Sequence, residues 1–398
     1  MVTQMKGTIL LLLLTLLQTP IVSSCKKTEH PEPKPVVPNL TFSNASITEG
    51  NSGLKQVLIG LYLSEPTTVD VKVEWSTVDG TAKAGDDYVA VPNGLVTFLP
   101  GETSKTIEIS IISDTVFEFN EQFSFQVDSI YNGISTVRKG SVTIENDDSY
   151  TPEIVSDGYI TPNTYPGMTL TWSDEFNGTS LDLANWTFEL GGGGWGNNEL
   201  EVYTSSADNT IVANGYLTIR AIKNPYNSSY TSARIITKGK KEFKYGRIDM
   251  RAKMPIGKGV WPALWMLGSN ISSVGWPSCG EIDIMEYLGQ DALTTYGTIH
   301  YNDGGHKYKG SNYPVASTDS YHNKFHIFTI IWQENQVDWY VDYHKYFTAN
   351  SSTIKFDAFN LSQFFIFNVA IGGNWPGNPD ASTVFPQEMV VDYVRVFN

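Results

Sequence analysis

The amino-acid sequence predicts an all-β protein built from two consecutive domains. Its 398 residues are enough for two or three domains, each with a core of its own. Apolar and polar residues alternate, as in half-buried strands, over residues 217–223, 246–254, 336–343 and 389–397. After the N-terminal segment, no helical periodicity of useful length interrupts this pattern. The break between the domains lies within residues 146–167, which are rich in Pro, Gly and Ser.

Composition narrows the class of protein and its partners. Hydrophobic residues make up 41% of the chain, so we expect a globular protein rather than a disordered one. Aromatic residues make up 13%, which favours sandwich packing or surfaces that stack on sugars. The net charge of −15 and the isoelectric point near 4.8 argue against nucleic acid or an anionic membrane surface as the main partner.

The N-terminal segment predicts secretion. Residues 1–24 are expected to be a signal peptide, because their apolar run, 9–17, is too short to span a bilayer. Residues 22–25 (VSSC) resemble a bacterial lipobox, in which Cys25 becomes the lipidated N-terminus; a chance cysteine after an ordinary signal peptide is the alternative. Lipidation would leave one other cysteine, and so no disulfide framework. Residues 25–38 would form an extended tether. We expect a monomer in the bacterial cell envelope, lipid-anchored and facing the outside.

The first domain, residues 39–148, carries acidic residues at the ends of successive strand-like segments. Where the strand ends of a sandwich meet, such carboxylates can bind a hard cation, although solvated loops would give the same pattern. The order of motifs, from ITEG through TAKAGDDYV to VTIENDD, resembles a Calx-beta domain over its whole length. The resemblance implies an immunoglobulin-like sandwich, which we expect to act as a spacer or adhesive stalk. It also implies calcium ligands at Glu49, Asp87, Asp114, Glu118, Glu121, Asp147 and Asp148. Ser113 and Asn146 stand where the family often has Asp, so we expect one calcium site rather than a cluster.

The second domain contains three carboxylates within one apolar, strand-like segment, SCGEIDIMEYLG. In a regular strand Glu281 and Asp283 share a face and Glu286 points the other way. A β-bulge, in which Met285 is the extra residue, would return Glu286 to the face of the other two acids. We therefore predict a bulge at residues 284–286, with the apolar residues of the segment directed into the core.

Three neighbouring carboxylates cannot all ionise cheaply, so their pKa values must spread apart. One then remains a carboxylate while another keeps its proton near neutral pH. Glycoside hydrolysis needs such a pair, and a double displacement places the two carboxyl groups roughly 5–5.5 Å apart. A calcium site or a satisfied polar strand are the alternatives for the segment taken alone.

The motifs that flank this segment resemble those of a known enzyme family. WPALWMLG (261–268), GTIHY (297–301), GGNWPG (372–377) and WGNNELEVYT (195–204) resemble glycoside hydrolase family sixteen from Met168 to Asn398. The resemblance implies a concave β-jelly roll and, in its laminarinase-like branch, a retaining endo-β-glucanase. Its substrate would be laminarin-type β-1,3-glucan or mixed-linkage β-1,3-1,4-glucan. The alternatives are the same fold acting on agarose or carrageenan, transglycosylation, and a non-catalytic carbohydrate-binding or adhesion protein.

The resemblance also implies roles for individual residues. Glu281 would be the nucleophile and Glu286 the general acid/base, while Asp283 would hydrogen-bond the nucleophile and tune both pKa values. A second set is expected to bind substrate, by indole stacking or by hydrogen bonds to sugar hydroxyls. This set comprises Trp261, Trp265, Trp276, His300, Asn198 and Arg234, with Glu199 as a further candidate. For Asn198 and Arg234 a structural hydrogen bond is the alternative.

Two further expectations concern tryptophans and metal. Trp332 and Trp339 are assigned to the core. Glu175, Asp392 and the carbonyl of Gly215 match the structural calcium ligands that the resemblance implies, and calcium takes such oxygen ligands readily. Calcium is thus expected as a structural ion, and no cofactor is expected for catalysis.

Overall fold

A computed structural model describes residues 37–398 of the chain. The signal peptide and Cys25 lie outside the described residues, so their predictions stay predictions. The described part consists of 25 strands, one short α-helix at Ile271–Val274 and two 3-10 turns at Ser317–Asp319 and Asp357–Asn360. The all-β prediction is confirmed. No helix within 37–398 combines the length and the apolar character that crossing a bilayer requires.

The first domain is a two-sheet sandwich, as predicted. Its strands are β1 (Leu40–Phe42), β2 (Ala45–Thr48), β3 (Gly53–Leu63), β4 (Val71–Val78), β5 (Gly94–Phe98), β6 (Ser104–Ser113), β7 (Glu121–Tyr131) and β8 (Lys139–Glu145). One sheet has the order β1-β3-β6 and the other the order β2-β8-β7-β4-β5. Alternate residues of β3, namely Val57, Ile59 and Leu61, are buried between the sheets, as the period of two requires.

The second domain contains the remaining strands. These are β9 (Leu170–Asp174), β10 (Thr187–Phe188), β11 (Glu201–Tyr203), β12 (Thr210–Ala213), β13 (Tyr216–Lys223), β14 (Tyr230–Ser232), β15 (Arg234–Ile236), β16 (Gly246–Lys253), β17 (Val260–Gly268), β18 (Glu281–Tyr287), β19 (Thr294–Asn302), β20 (His306–Pro314), β21 (His326–Gln333), β22 (Gln336–Val341), β23 (His344–Asn350), β24 (Gln363–Ile371) and β25 (Gln387–Phe397).

These strands form two sheets that share one apolar core. The seven-stranded sheet has the order β10-β15-β24-β17-β18-β19-β20. The ten-stranded sheet has the order β11-β14-β13-β25-β16-β21-β22-β23, with β12 beside β13 and β9 beside β25. Leu264 and Ile282 from the first sheet meet Met250 and Val394 from the second in the core, all with essentially no exposed surface. Every side chain that points away from this core on β17, β18, β19 and β24 therefore faces the same outer surface.

The segment between the domains is packed on the second domain rather than free. Gly158 forms an isolated bridge with Phe325, and a Cβ atom at this glycine would lie 2.1 Å from the Phe325 carbonyl oxygen. The hydroxyl of Tyr165 donates to Asp249 at 2.7 Å. Arg251, buried beneath the segment, contacts Ser156 at 3.3 Å. The predicted linker thus adds a layer to the ten-stranded sheet.

The two domains also touch through side chains. The guanidinium of Arg220 on β13 lies 5.0 Å from the ring centroid of Phe117 and 5.1 Å from that of Phe119, both in the loop between β6 and β7. Tyr150, just after β8, stacks on the same guanidinium at 3.9 Å. The Tyr226 hydroxyl forms a hydrogen bond of 2.8 Å with Thr81. The first domain therefore sits against the ten-stranded sheet, on the side of the second domain remote from the seven-stranded one.

Candidate active site

The predicted bulge is present in strand β18. Asp283 pairs with Thr298 of β19, and the next paired residue is Glu286, which lies opposite Tyr296. Two residues of β18 therefore oppose the single Gly297, and this returns Glu286 to the face of Glu281 and Asp283. On the β17 side Met285 pairs with Leu264 and the residue left over is Ile284, so the expectation that Met285 is the extra residue was wrong.

Core packing holds both residues of the bulge. Ile284 and Met285 are both buried in the core, with 2% and 0% of their surface exposed. The indole of Trp339, on β22, donates a hydrogen bond of 2.8 Å to the carbonyl of Asp283, immediately before the bulge. Gly297, opposite the bulge, leaves the space in which Trp339 and Tyr346 pack. The opposite sheet thus holds the irregularity from beneath.

Each carboxylate has a distinct neighbour in the outer surface. Glu281 accepts a hydrogen bond of 2.8 Å from the indole of Trp276, and Glu286 accepts one of 3.2 Å from the indole of Trp261. His300 Nε2 lies 3.3 Å from Asp283 Oδ2 and 3.7 Å from Glu281 Oε1. Asp283 is the most deeply buried of the three, at 3% exposure.

Burial raises the pKa of all three acids. Desolvation, and then the charge of Asp283, raise the pKa of Glu281 to about 8. Desolvation, followed by the charges of Asp283 and Glu281, raises the pKa of Glu286 well above its ordinary value. More neighbours stabilise the ionised form of Glu281 than that of Glu286, because His300, Trp276 and Arg234 each lower the pKa of Glu281. The arrangement therefore favours a carboxylate at Glu281 and a retained proton at Glu286.

The three acids lie at the floor of a cleft of about 800 Å³ that crosses the seven-stranded sheet. Alternate residues of the neighbouring strands line it, as the period of two demands. On β17 these residues include Trp261 and Trp265, and on β19 they include Tyr296 and His300. The predicted positions of Trp261, Trp265, Trp276, His300 and Arg234 in the cleft agree with the structure. Trp332 and Trp339 are fully buried, as predicted.

At one end of the cleft an arginine is held between two indoles. The guanidinium of Arg234 lies 4.7 Å from the ring centroid of Trp195 and 4.9 Å from that of Trp265. Its Nε atom is 2.6 Å from a carboxylate oxygen of Glu189. The Trp265 indole donates to Asn368 at 2.8 Å. Both alternatives raised for Arg234 therefore apply together, because it lines the cleft and is fixed by structural contacts.

Asn198 does not line the cleft, contrary to the prediction. It lies at φ +59° in the turn that precedes β11, and its exposed amide donates to Asn374 at 2.8 Å. The turn directs its neighbours Asn197 and Glu199 into the cleft instead. Glu199, the further candidate, accepts a hydrogen bond of 2.9 Å from Asn197.

Several lining residues were missed by sequence reasoning. They are Trp195, Tyr296, His306, Tyr308 and Trp375. Trp195 and Trp375 fall inside the motifs WGNNELEVYT and GGNWPG, so these two residues could have been predicted from their motifs. His306 and Tyr308 lie on β20, at the edge of the sheet, and no motif marks them. Only the pairing of β20 with β19 places them beside the acids.

In the second domain the two carboxylates predicted to bind structural calcium are paired with arginines. Both oxygens of Glu175 are bound by the guanidinium of Arg395, each at 2.8 Å. Asp392 accepts from Arg251 at 2.5 Å. These guanidinium groups neutralise the two carboxylates, and the calcium site itself stays a prediction.

The acidic residues of the first domain do come together. Carboxylate oxygens of Asp87, Glu118 and Glu121 lie within 4.8 Å of one another. Desolvation, with the charges of Asp114, Glu118 and Asp148, raises the pKa of the buried Glu49 to about 7. Asp147 instead is exposed and accepts the backbone N–H of Gly50 at 2.8 Å. Such uncompensated anionic oxygens suit a divalent cation of the calcium type.

Comparisons with known proteins agree with both domain assignments. The family model for glycosyl hydrolases family 16 matches residues 197–395, and the Calx-beta domain model matches residues 36–148. Over 278 residues the chain is 39% identical to glucan endo-1,3-beta-glucosidase A1 of Niallia circulans, a match that covers 62% of this chain and 40% of that protein. A beta-glucanase of Rhodothermus marinus is 39% identical over 253 residues, covering 58% of this chain and 86% of that protein.

A solved structure supports the same assignment for the second domain. The laminarinase catalytic domain of Thermotoga maritima MSB8 is 47% identical to this chain and superposes with a TM-score of 0.54. The match covers 58% of this chain and 98% of that one. The likeness therefore belongs to the part of the chain that contains the cleft.

Proposed function

We propose that this chain, which belongs to the glycosyl hydrolases family 16, is a retaining endo-β-glucanase that cleaves internal β-1,3 linkages of laminarin-type glucan. The observation that carries the proposal is the bulged strand β18, which directs Glu281, Asp283 and Glu286 into one aromatic cleft. The names of the relatives support a β-1,3-glucan substrate in particular. Carrageenan is less favoured, since its sulfated chain would meet an acidic cleft, and agarose is less favoured because the relatives are named for glucans.

The two glutamates divide the chemistry by environment. Glu286 donates its proton to the glycosidic oxygen while the Glu281 carboxylate attacks the anomeric carbon, so that the aglycone leaves as an alcohol and a glycosyl ester forms. A water molecule then loses a proton to Glu286 and attacks the same carbon, which releases Glu281 and a product of β configuration. Asp283, between them, lies 3.3 Å from His300 Nε2 and separates their titrations.

The walls of the cleft supply binding. Indoles stack on the axial C–H faces of β-linked glucose, and Trp195, Trp265 and Trp276 present such surfaces. The guanidinium of Arg234, held by Glu189, offers hydrogen-bond donors in a fixed orientation. The cleft is lined by residues of strands from β15 to β20 and so crosses most of the sheet, which suits attack within a polymer rather than at its end.

The test is product analysis together with one substitution. Purified protein incubated with laminarin, lichenan, cellulose and agarose should release reducing sugar from laminarin, with oligosaccharides rather than glucose as early products. The Glu281→Gln variant should lose hydrolysis and keep laminarin binding. If the wild-type protein binds glucan but releases no reducing sugar from any β-glucan, the carbohydrate-binding alternative replaces the enzyme.

We also propose that the acidic cluster of the first domain binds calcium, and that Cys25 carries a lipid anchor. The carboxylate oxygens grouped around Asp87 support the first proposal. The motif VSSC supports the second, which is tested by membrane fractionation of the wild-type protein and a Cys25→Ser variant. A variant that stays in the membrane fraction would contradict lipidation.

A further inference from the structure

A second histidine stands behind His300 at the edge of the cleft. His306 begins strand β20, across a short turn from the end of β19. Its Nε2 atom lies 2.8 Å from Nδ1 of His300, and the two rings are nearly parallel, with 15° between their planes. This contact uses the nitrogen of His300 that points away from the acids.

The other nitrogen of His300 faces the acids. Nε2 lies 3.3 Å from Asp283 Oδ2, and that oxygen has no hydrogen-bond partner among the described residues. Asp283 is 3% exposed, so water does not readily take the place of a missing donor. Whether Nε2 carries a proton therefore decides whether this buried carboxylate oxygen faces a donor or a lone pair.

His306 also supports the indole that donates to the nucleophile. Its ring centroid lies 4.5 Å from that of Trp276, whose indole N–H donates to Glu281 at 2.8 Å. Trp276 is otherwise 49% exposed, so the imidazole is a substantial part of its support. One side chain thus contacts both groups that donate towards Glu281 and Asp283.

The protonation of His306 follows from its surroundings. The titratable groups that face it are Glu281, Asp283 and Glu286 on β18 and Tyr308 on the same strand as His306. Partial burial, and then the charge of His300, lower the pKa of His306, so His306 is neutral at neutral pH. A neutral His306 with its proton on Nε2 donates to Nδ1 of His300.

We propose that His306 is a positioning residue, whose Nε2–H bond to Nδ1 of His300 keeps a proton on Nε2 of His300, on the side that faces Asp283 and Glu281. The bond excludes the tautomer in which Nδ1 carries the proton and a lone pair faces the acids. The proposal rests on the proposed function for its effect on catalysis, whereas the tautomer itself is a property of the resting protein.

Two substitutions separate the hydrogen bond from the ring. His306→Phe keeps an aromatic ring against Trp276 and removes the N–H group. His306→Gln keeps an N–H donor and removes the ring. His344→Gln serves as the control, because His344 is exposed on β23 and stacks on Tyr313 rather than on the acids.

The first measurement is the nitrogen-15 spectrum of full-length protein with labelled histidines. The signals of His300 are identified as those that disappear in a His300→Gln variant. The wild-type, His306→Gln and His344→Gln proteins should show a protonated Nε2 and an unprotonated Nδ1 at His300. The His306→Phe protein should show a mixture of both tautomers. An unchanged His300 tautomer in His306→Phe would overturn the proposal.

The second measurement is the pH profile of hydrolysis. With the donor gone, the ionised form of the nucleophile is less stabilised, so the acid limb of kcat/KM in His306→Phe should move to higher pH. We expect kcat/KM at neutral pH to fall about tenfold, with most of the loss in kcat, and His306→Gln to stay within about threefold of wild type. Equal losses in both variants without a shifted limb would mean a merely structural role and would refute the proposal. A protein that hydrolyses no glucan refutes the proposed function, and the spectrum still decides the tautomer.

Discussion

The hydrogen bond from Trp276 to Glu281 gives the sharpest prediction about the nucleophile. The indole N–H lies 2.8 Å from a carboxylate oxygen of Glu281 and stabilises its ionised form, which lowers the pKa of that glutamate. The Trp276→Phe variant keeps an aromatic face for the sugar and removes only the donor. Because the nucleophile must be ionised, its activity is lost as the pH falls through its pKa. Raising that pKa therefore moves the acid limb of the profile to higher pH.

The size of the effect follows from the exposure of the two partners. A hydrogen bond to a charged group contributes about 1.5–3 kcal/mol, and the lower value applies here because Trp276 is 49% exposed and water can replace part of the interaction. A loss of about 1.4 kcal/mol is tenfold in rate, and about 1.36 kcal/mol corresponds to one pKa unit. We therefore expect about a tenfold fall in kcat/KM at the acid end and a shift of about one unit.

The assay is the initial rate of reducing-sugar release from laminarin between pH 4 and pH 9. Trp375→Phe is the matched control, since Trp375 is an exposed tryptophan of the same cleft that contacts other aromatic rings and no catalytic carboxylate. Its KM can rise, but its acid limb should stay in place. An acid limb of Trp276→Phe that coincides with that of the control would refute the reasoning.

Three further predictions follow from the same structure. The indole N–H of Trp261 donates to Glu286 at 3.2 Å and lowers the pKa of that glutamate. Trp261→Phe removes this donor, so the pKa of Glu286 rises and the basic limb of the pH profile should move to higher pH. A basic limb that stays in place would contradict the assignment of Glu286 as the acid. Gly297→Ala would place a Cβ atom 2.3 Å from the Tyr346 hydroxyl oxygen. Calorimetry should therefore show that the free energy of unfolding falls by about 1–3 kcal/mol. An unchanged Tm would contradict the packing described beneath the bulge. Millimolar Ca²⁺ should raise the Tm of the first domain relative to EDTA, and Asp87→Asn should remove most of that shift; equal Tm values in Ca²⁺ and EDTA would exclude the site.

The fold class and the three acids could be predicted from the sequence, because both depend on local patterns. Alternation of apolar residues marks strands, and the break of that alternation between Asp283 and Glu286 marks a bulge. The identity of the extra residue was missed because both Ile284 and Met285 are apolar and both are buried. Only the register with β17, where Leu264 selects Met285, distinguishes them.

What the sequence did not show has a common physical origin in contacts between distant residues. Asn198 sits in a turn whose positive φ sends its amide outward to Asn374, and nothing in the adjacent sequence announces that direction. Glu175 was expected to bind calcium, but Arg395, 220 residues away, binds both of its oxygens. A carboxylate in a motif shows that oxygen ligands are available, but residues elsewhere in the chain determine which group binds them.

The bulge explains why catalytic carboxylates can be placed on a strand whose other face is core. A regular strand would offer Glu281 and Asp283 to the cleft but would bury Glu286, at a cost that an unpaired carboxylate does not recover. The extra residue turns Glu286 outward, and the strand keeps its apolar contacts because Ile284 and Met285 are both accepted by the core. The indole of Trp339 fixes the strand at this point by donating to the Asp283 carbonyl. The position of the acid/base is therefore determined from the core side, by packing that never touches the substrate, and a substitution beneath the sheet should change activity before it unfolds the protein.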